Sequence, residues 1–244
     1  MKVLLLFGSS SDESVYLPLK ESLEKDHQVR LEILSAHRNP RELDQVLQDS
    51  EDDVIWAGAG LAAHLPGIVA SKTLKPVLGL PVEAHFAGLD ATLAIQQMSF
   101  GIPVLTMGPG MASEGIDFLT GMRSWLKTNG PAKKEFNLIL NPKIEAYEYV
   151  SFEVKRALDF AAETQLKIKV TAKFDPACLN IVLVNDPDEV LAEKPCLHVP
   201  LFDKVSLANP SKALRLFEMV RSGGLWVGVN NTRNALLGYL RFLS

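Results

Sequence analysis

The residues that could do chemistry stand where short apolar runs end. Residues 29–34 form an apolar-alternating run, and Ser35-Ala36-His37-Arg38 follows it directly. Asn39-Pro40 comes next, a pair that signals entry into a helix. A strand therefore ends in a histidine beside an arginine. The imidazole offers a proton donor or acceptor near neutral pH, and the guanidinium offers a planar fork for a phosphate. In open α/β sheets, ligands sit at the carboxyl ends of the strands. Taken alone, the dipeptide is equally well a solvated helix-entry turn, so the other strand ends decide.

Residues 3–7 are an unbroken apolar run, the mark of a strand buried on both faces of a parallel sheet. The run ends in Gly8-Ser9-Ser10-Ser11-Asp12, and a helical pattern through Val15, Leu19 and Leu23 follows. Hydroxyls and free N–H groups at such a turn suit an anion, although Ser11 or Asp12 could simply cap the helix. The turn lacks the Gly-Lys-Ser/Thr of a Walker loop and the spaced glycines of a dinucleotide fingerprint. Residues 53–57 form a third strand that opens into Gly58-Ala59-Gly60-Leu61-Ala62-Ala63-His64-Leu65-Pro66-Gly67. Small residues there let a ligand or a helix approach the backbone, and His64 is either a site residue or a packing histidine. A fourth strand, 76–80, ends in Pro81-Val82-Glu83-Ala84-His85. A helix over 90–98, a strand over 103–107, Gly108-Pro109-Gly110 and a helix to about 126 follow.

Strands alternating with helices predict an α/β fold, a three-layer parallel sheet with helices on both faces. A polar stretch at 127–134 reads as a linker, and beyond it the pattern restarts. Strands are expected at 136–140, 166–171, 181–184 and 225–229, and helices at 145–163, 211–221 and 232–243. Lys194-Pro195-Cys196-Leu197-His198-Val199-Pro200 echoes Lys75-Pro76-Val77-Leu78-Gly79-Leu80-Pro81. The expectation is two tandem copies with a period near 120 residues, a chemical domain at 1–128 and a second domain at 135–244. The second copy carries Asn141-Pro142-Lys143-Ile144-Glu145 and Thr171-Ala172-Lys173-Phe174 where the first has its polar strand ends. It has no counterpart of the His64 loop, so it reads as a structural copy.

A net charge of -4 argues against nucleic acid as partner. Cys178 and Cys196 make neither a disulfide framework nor a metal cluster, and both are expected to be buried thiols. The N-terminal apolar run is too short for a signal peptide, and no segment reaches the roughly 18 apolar residues of a membrane span. A cytoplasmic location is expected.

Four motifs in register carry a family resemblance. Gly8-Ser9-Ser10-Ser11-Asp12, Ser35-Ala36-His37-Arg38, the loop Ala57 through Gly67, and Gly88-Leu89-Asp90 with Gln97-Met98 resemble the PurE family in order and spacing. The resemblance implies a flavodoxin- or Rossmann-like fold and purine biosynthesis on aminoimidazole ribonucleotides, without metal or organic cofactor. The His64 loop resembles the mutase type, which takes the N(5)-carbamate. Direct carboxylation with CO2 and a non-catalytic nucleotide-binding role are the alternatives. By the resemblance, His37 and His64 are catalytic, with His37 moving the proton. Ser9, Ser11, Asp12, Ser35, Arg38, Gly60 and Leu65 would hold the substrate. Family members form octamers, so two-unit chains imply a homotetramer that rebuilds that assembly. The chain departs from the pattern at Ser99-Phe100, where a proline is usual, and at Ala91 and Ala94, where serines are usual. Met111-Ala112-Ser113-Glu114-Gly115 replaces an Asn-Ala-Leu-Leu segment that stands instead at Asn234-Ala235-Leu236-Leu237.

Overall fold

The apolar run at residues 3–7 is buried on both faces, as its composition requires, within strand β1 (Lys2–Phe7). In the computed structural model, which describes residues 1–244, the chain continues through α1 (Glu13–Leu23), β2 (Gln28–Ile33), α2 (Pro40–Gln48), β3 (Val54–Ala59) and α3 (Leu65–Lys72). The first half closes with β4 (Val77–Pro81), α4 (Leu89–Gln96), β5 (Leu105–Thr106) and α5 (Ala112–Asn129). The second half runs β6 (Glu135–Leu140), α6 (Glu148–Glu163), β7 (Lys167–Thr171), β8 (Leu179–Val184), β9 (Cys196–Pro200), α7 (Lys204–Leu207), α8 (Lys212–Arg221), β10 (Leu225–Trp226) and α9 (Thr232–Phe242).

All ten strands belong to one sheet, in the order β2-β1-β3-β4-β5-β10-β9-β8-β6-β7. Neighbours pair in parallel throughout, except at the seam, where Trp226 of β10 meets Thr106 of β5 antiparallel. Read outward from the seam, the two halves have mirrored strand orders. The last ladder bonds repeat as well: Met107 N–H donates to the Gly79 carbonyl and Val227 N–H to that of His198, both at 3.1 Å. Because the seam is antiparallel, the carboxyl ends of the two sets of strands point to opposite edges of the sheet.

Helices cover both faces, giving the three layers. Val3, Leu5 and Phe7 face a cluster that takes in α1, α5, α6 and α9 from both halves without a break. Leu4 and Leu6 face the other way, onto α2, α3 and α4. Helix α8 covers the second half on that side through Leu216, Met219 and Val220.

Several expectations are corrected. The linker shrinks to residues 130–134, because α5 continues to Asn129. Helix α4 stops at Gln96 rather than residue 98, since Gln96 Nε2 donates to the Val227 carbonyl across the seam and Asn231 Nδ2 to that of Met98. Strands β5 and β10 keep two residues each, the rest of both runs turning into loops. Helix α3 was not legible, because its residues up to Ala70 are apolar on every side and show no amphipathic period. Cys196 is buried, but Cys178 is only half-buried and sits beside Asp175.

The departures at 99–100 have a physical reason. Phe100 packs edge-on against Phe160 of α6, and the Arg233 guanidinium lies 3.9 Å above its ring. Asn234 donates to the Ser99 carbonyl at 2.9 Å and accepts the Gly101 N–H at 3.0 Å. Residues of the second half therefore hold the segment that follows Gln97-Met98.

His198, fully buried in β9, makes the seam sensitive to acid. Its Nε2 accepts the Leu191 N–H, and its Nδ1 donates to the Leu225 carbonyl, both at 3.2 Å, which fixes a neutral tautomer. Burial, with the Lys194 charge adding to it, lowers its pKa from 6.5 to about 4. As pH falls through that window the unfolded chain takes up a proton that the folded chain refuses, so stability present above pH 6.5 is lost toward pH 4. The loss is of order 3 kcal/mol. The urea midpoint should fall between about pH 7 and pH 4.5, while the His198 ring protons keep their neutral shifts to about pH 5. A His198 ring titrating near its ordinary value would refute the assignment.

Candidate functional site

The carboxyl ends of β1, β2, β3 and β4 open onto one cleft of about 530 Å³. At the β1 end, Ser9 takes the N-cap of a single 3-10 turn, its Oγ accepting the Ser11 N–H at 3.2 Å. Capping is therefore done by Ser9, not by Ser11 or Asp12. Asp12 precedes α1 but makes no side-chain capping bond. Its carboxyl faces the cleft, and burial raises its pKa, partly offset by the Ser11 hydroxyl that donates to it at 3.2 Å.

At the β2 end, Asn39 bends its side chain back toward the Ser35 N–H, and Pro40 starts α2 with a ring that needs no donor. Ser35 Oγ accepts the His37 and Arg38 backbone N–H groups at 3.4 and 3.3 Å. The turn is thereby wound so that both side chains reach the cleft. Arg38 Nη2 donates to the Gly8 carbonyl at 3.0 Å, which ties the β2 loop to the β1 loop. One edge of the fork is held by protein, and the remaining N–H groups are left for an anion.

From the β3 end come Ala59, Gly60, Leu61 and Ala62, followed by Leu65 at the start of α3. Ala62 has a positive φ of 49°, which turns the loop sharply before α3. His64 does not line the cleft itself. Its Nδ1 lies 3.2 Å from Nε2 of His37, with the rings edge to face at 88°. A hydrogen bond between the facing nitrogens couples the tautomers of the two rings. Nδ1 of His37 carries no protein partner.

Of the residues singled out in the sequence, Ser9, Ser11, Asp12, Ser35, His37, Arg38, Gly60 and Leu65 line this one cleft, and His64 touches it through His37. Gly88-Leu89-Asp90 and Gln97-Met98 do not line it. Gln97 Oε1 instead accepts the Val229 N–H across the seam at 3.4 Å. Sequence reasoning missed Val82, Glu83 and Ala84, which close the cleft at the β4 end. Their signal was position alone, as the residues directly after a buried strand.

With the geometry in place, comparison with known proteins places the chain. The family model for AIR carboxylase matches residues 2–116. An N5-carboxyaminoimidazole ribonucleotide mutase of Methanocaldococcus jannaschii is 45% identical over 108 residues, 43% of this chain and 68% of that protein. The chain belongs to the AIR carboxylase family. Mutases of the same name from Escherichia coli K12 (44% over 118 residues, 46% of this chain and 69% of theirs) and Mycobacterium leprae (45% over 116 residues, 46% and 68%) agree. Every cleft residue falls within the span matched to AIR carboxylase, and residues 117–244 lie outside it.

The cleft's tightest internal fit lies behind this family motif. A Cβ on Gly58 would stand 2.3 Å from the Phe7 ring, so only glycine lets β3 lie against β1 just before Gly8-Ser9 and Gly60. Gly58→Ala should destabilise the protein by about 1–3 kcal/mol through overpacking, measured as a lower urea midpoint. A variant as stable as the parent would show that Phe7 has room to move.

Proposed function

We propose that the protein converts N(5)-carboxyaminoimidazole ribonucleotide into 4-carboxy-5-aminoimidazole ribonucleotide, as the names of its relatives suggest. The observation that carries the reading is the His37–His64 pair beside a cleft that Arg38 and a hydroxyl-rich turn also line. The substrate's phosphate lies against Arg38 and the Gly8–Ser11 backbone, and Ser35 and Asp12 flank the ribose. The carbamate separates into CO2 and aminoimidazole, and carbon 4 of the ring then captures the CO2. His37 first protonates the leaving nitrogen and later removes the ring proton at carbon 4. His64 holds the tautomer that lets His37 do both. Gly60 and Leu65, with the rest of the small-residue loop, keep the CO2 beside the ring, which turns a dilute encounter into an oriented one.

Residues 1–128 are the catalytic unit in this reading, and 135–244 a degenerate second copy with a structural role. The mirrored strand order and the repeated seam bonds support a tandem duplication. At the corresponding edge of the second half, Glu189 closes the space on itself. Its carboxylate accepts from Asn141 Nδ2 at 2.6 Å and from the Asn185 N–H at 2.7 Å, so an anion would meet a negative charge there. The chain works in the cytoplasm as a tetramer, each chain supplying one active and one structural unit. No helix is long and apolar enough to cross a membrane.

Three outcomes test this reading. His37→Asn should leave nucleotide binding nearly intact and lower kcat by roughly 100-fold or more, and near-normal turnover would remove His37 from the proton transfer. Arg38→Ala should weaken nucleotide binding by about 1.5–3 kcal/mol in calorimetry, with lysine restoring only part, since it lacks the fork. Unchanged affinity would make Arg38 mere surface charge. For the assembly, light scattering should give about 107 kDa, four chains of 26.8 kDa, and a mass near twice that would mean eight chains.

A further inference from the structure

The cleft has two chemically different ends. At the β2 end Arg38 supplies the fixed positive charge, tied to the Gly8 carbonyl. At the β4 end stands Glu83, a lining carboxylate that makes no hydrogen bond or ion pair within the chain. Asp12, the other lining carboxylate, is engaged by Ser11. The Arg38 guanidinium lies at the Gly8 carbonyl, just after β1, and β1 and β4 are two steps apart in the sheet, about 10 Å at the usual strand spacing. A mononucleotide held by its phosphate at one side can reach across that distance. A phosphate seated at Arg38 therefore directs the base toward Glu83.

The backbone around Glu83 is strained toward one shape. Phe86, Ala87 and Gly88 follow with φ of 49°, 53° and 84°, two of them non-glycine residues in the left-handed region. Pro109 fills the place a Cβ on Gly88 would take, at 2.8 Å. Gly110, at φ 71°, faces the carboxylate, and a Cβ there would stand 3.9 Å from Glu83 Oε1. Strain of this kind persists only where neighbouring structure enforces it. Here the β5–α5 loop holds the Glu83 loop in place.

Resting on the nucleotide reading above, we propose that Glu83 is the base-recognition residue of the cleft, its carboxylate accepting a hydrogen bond from the exocyclic amino group of the aminoimidazole. An ionised carboxylate is acceptor-only. An amino group gives it a charge-assisted partner that a base without one cannot supply. Glu83 thus selects amino-substituted bases and fixes the orientation of the nitrogen at which the carbamate forms and breaks. The role is recognition and positioning.

Calorimetry on the full chain tests this with aminoimidazole ribonucleotide, imidazole ribonucleotide lacking the amino group, and ribose 5-phosphate. The parent protein should bind the amino ligand about 10- to 100-fold more tightly than its des-amino analogue. In Glu83→Ala that discrimination should vanish, while affinity for ribose 5-phosphate stays at the parent value. Glu83→Gln keeps a carbonyl acceptor and should retain part of it. Discrimination that survives in Glu83→Ala overturns the proposal, and so does a matching loss of ribose 5-phosphate affinity, which would mark a collapsed cleft. A parent protein that binds both ribonucleotides selectively but never turns over the carbamate would sink the mutase reading and leave this assignment standing.

Discussion

A single antiparallel bridge, Trp226 against Thr106, is what the rest of the molecule is built on. It joins two five-stranded parallel sets into one sheet, and it reverses their direction at the join. Without it, β5 would be a two-residue edge with unpaired backbone groups, a surface that proteins normally cover. The bridge alone is slight, so side chains reinforce it from both sides. Gln96, Asn231 and Asn234 bond the loops above it. Below it, Glu114 of α5 pairs with Lys194 at 2.7 Å and accepts the Gly224 N–H at 2.8 Å. Burial raises the Glu114 pKa, but Lys194 and Gly224 outweigh it, so the carboxylate stays charged below the usual range. The two halves consequently share a core rather than touching at a surface.

The seam also determines where chemistry can happen. Each set of strands presents its carboxyl ends to one edge, where loops are free to vary while the sheet stays fixed. In the first half those loops are small and polar, and they converge: Ser35 winds the turn, Arg38 reaches across to Gly8, and His37 meets His64. Their precision comes from behind. Gly58 lets Phe7 lie flat against β3, and Gly79 admits Ile95 and Val104 where a Cβ would stand 2.4 and 2.7 Å from them. Small residues in the strands thus set the spacing of the loops.

How much of this was legible follows from which forces act locally. Strands β1, β3 and β4 read correctly because burial on both faces leaves an unbroken apolar run. Gly8 through Asp12, Ser35 through Arg38 and the His64 loop were legible as strand-end loops because each sits directly after a run that reads as a strand. Helix α3 did not read correctly, because a short, mostly apolar helix shows no amphipathic period. The ends of α4, β5 and β10 did not, because residues more than 120 positions away in sequence fix them. Glu83 escaped for a different reason. Nothing about a lone carboxylate after a strand marks it until the fold shows which space it faces.

The second half repeats the strand order of the first with different loops. Its equivalent edge carries Glu189 and Asp186 in a reciprocal capping arrangement, and Tyr149 and Arg215 bond Asn185 there. These bonds satisfy the loop at residues 185–189 from within. Its helices, by contrast, brace one another: Glu153 of α6, almost fully buried, accepts the Thr232 N–H at the start of α9 at 2.7 Å. Burial raises the pKa of that carboxyl, and Thr232 and Arg156 hold it in place. A buried acid spent on anchoring α9 fixes Asn234, and Asn234 in turn holds Ser99 and Gly101 of the first half. A half that lacks the polar loops still governs the cleft's surroundings, through the segment behind α4 and the edge that β5 needs.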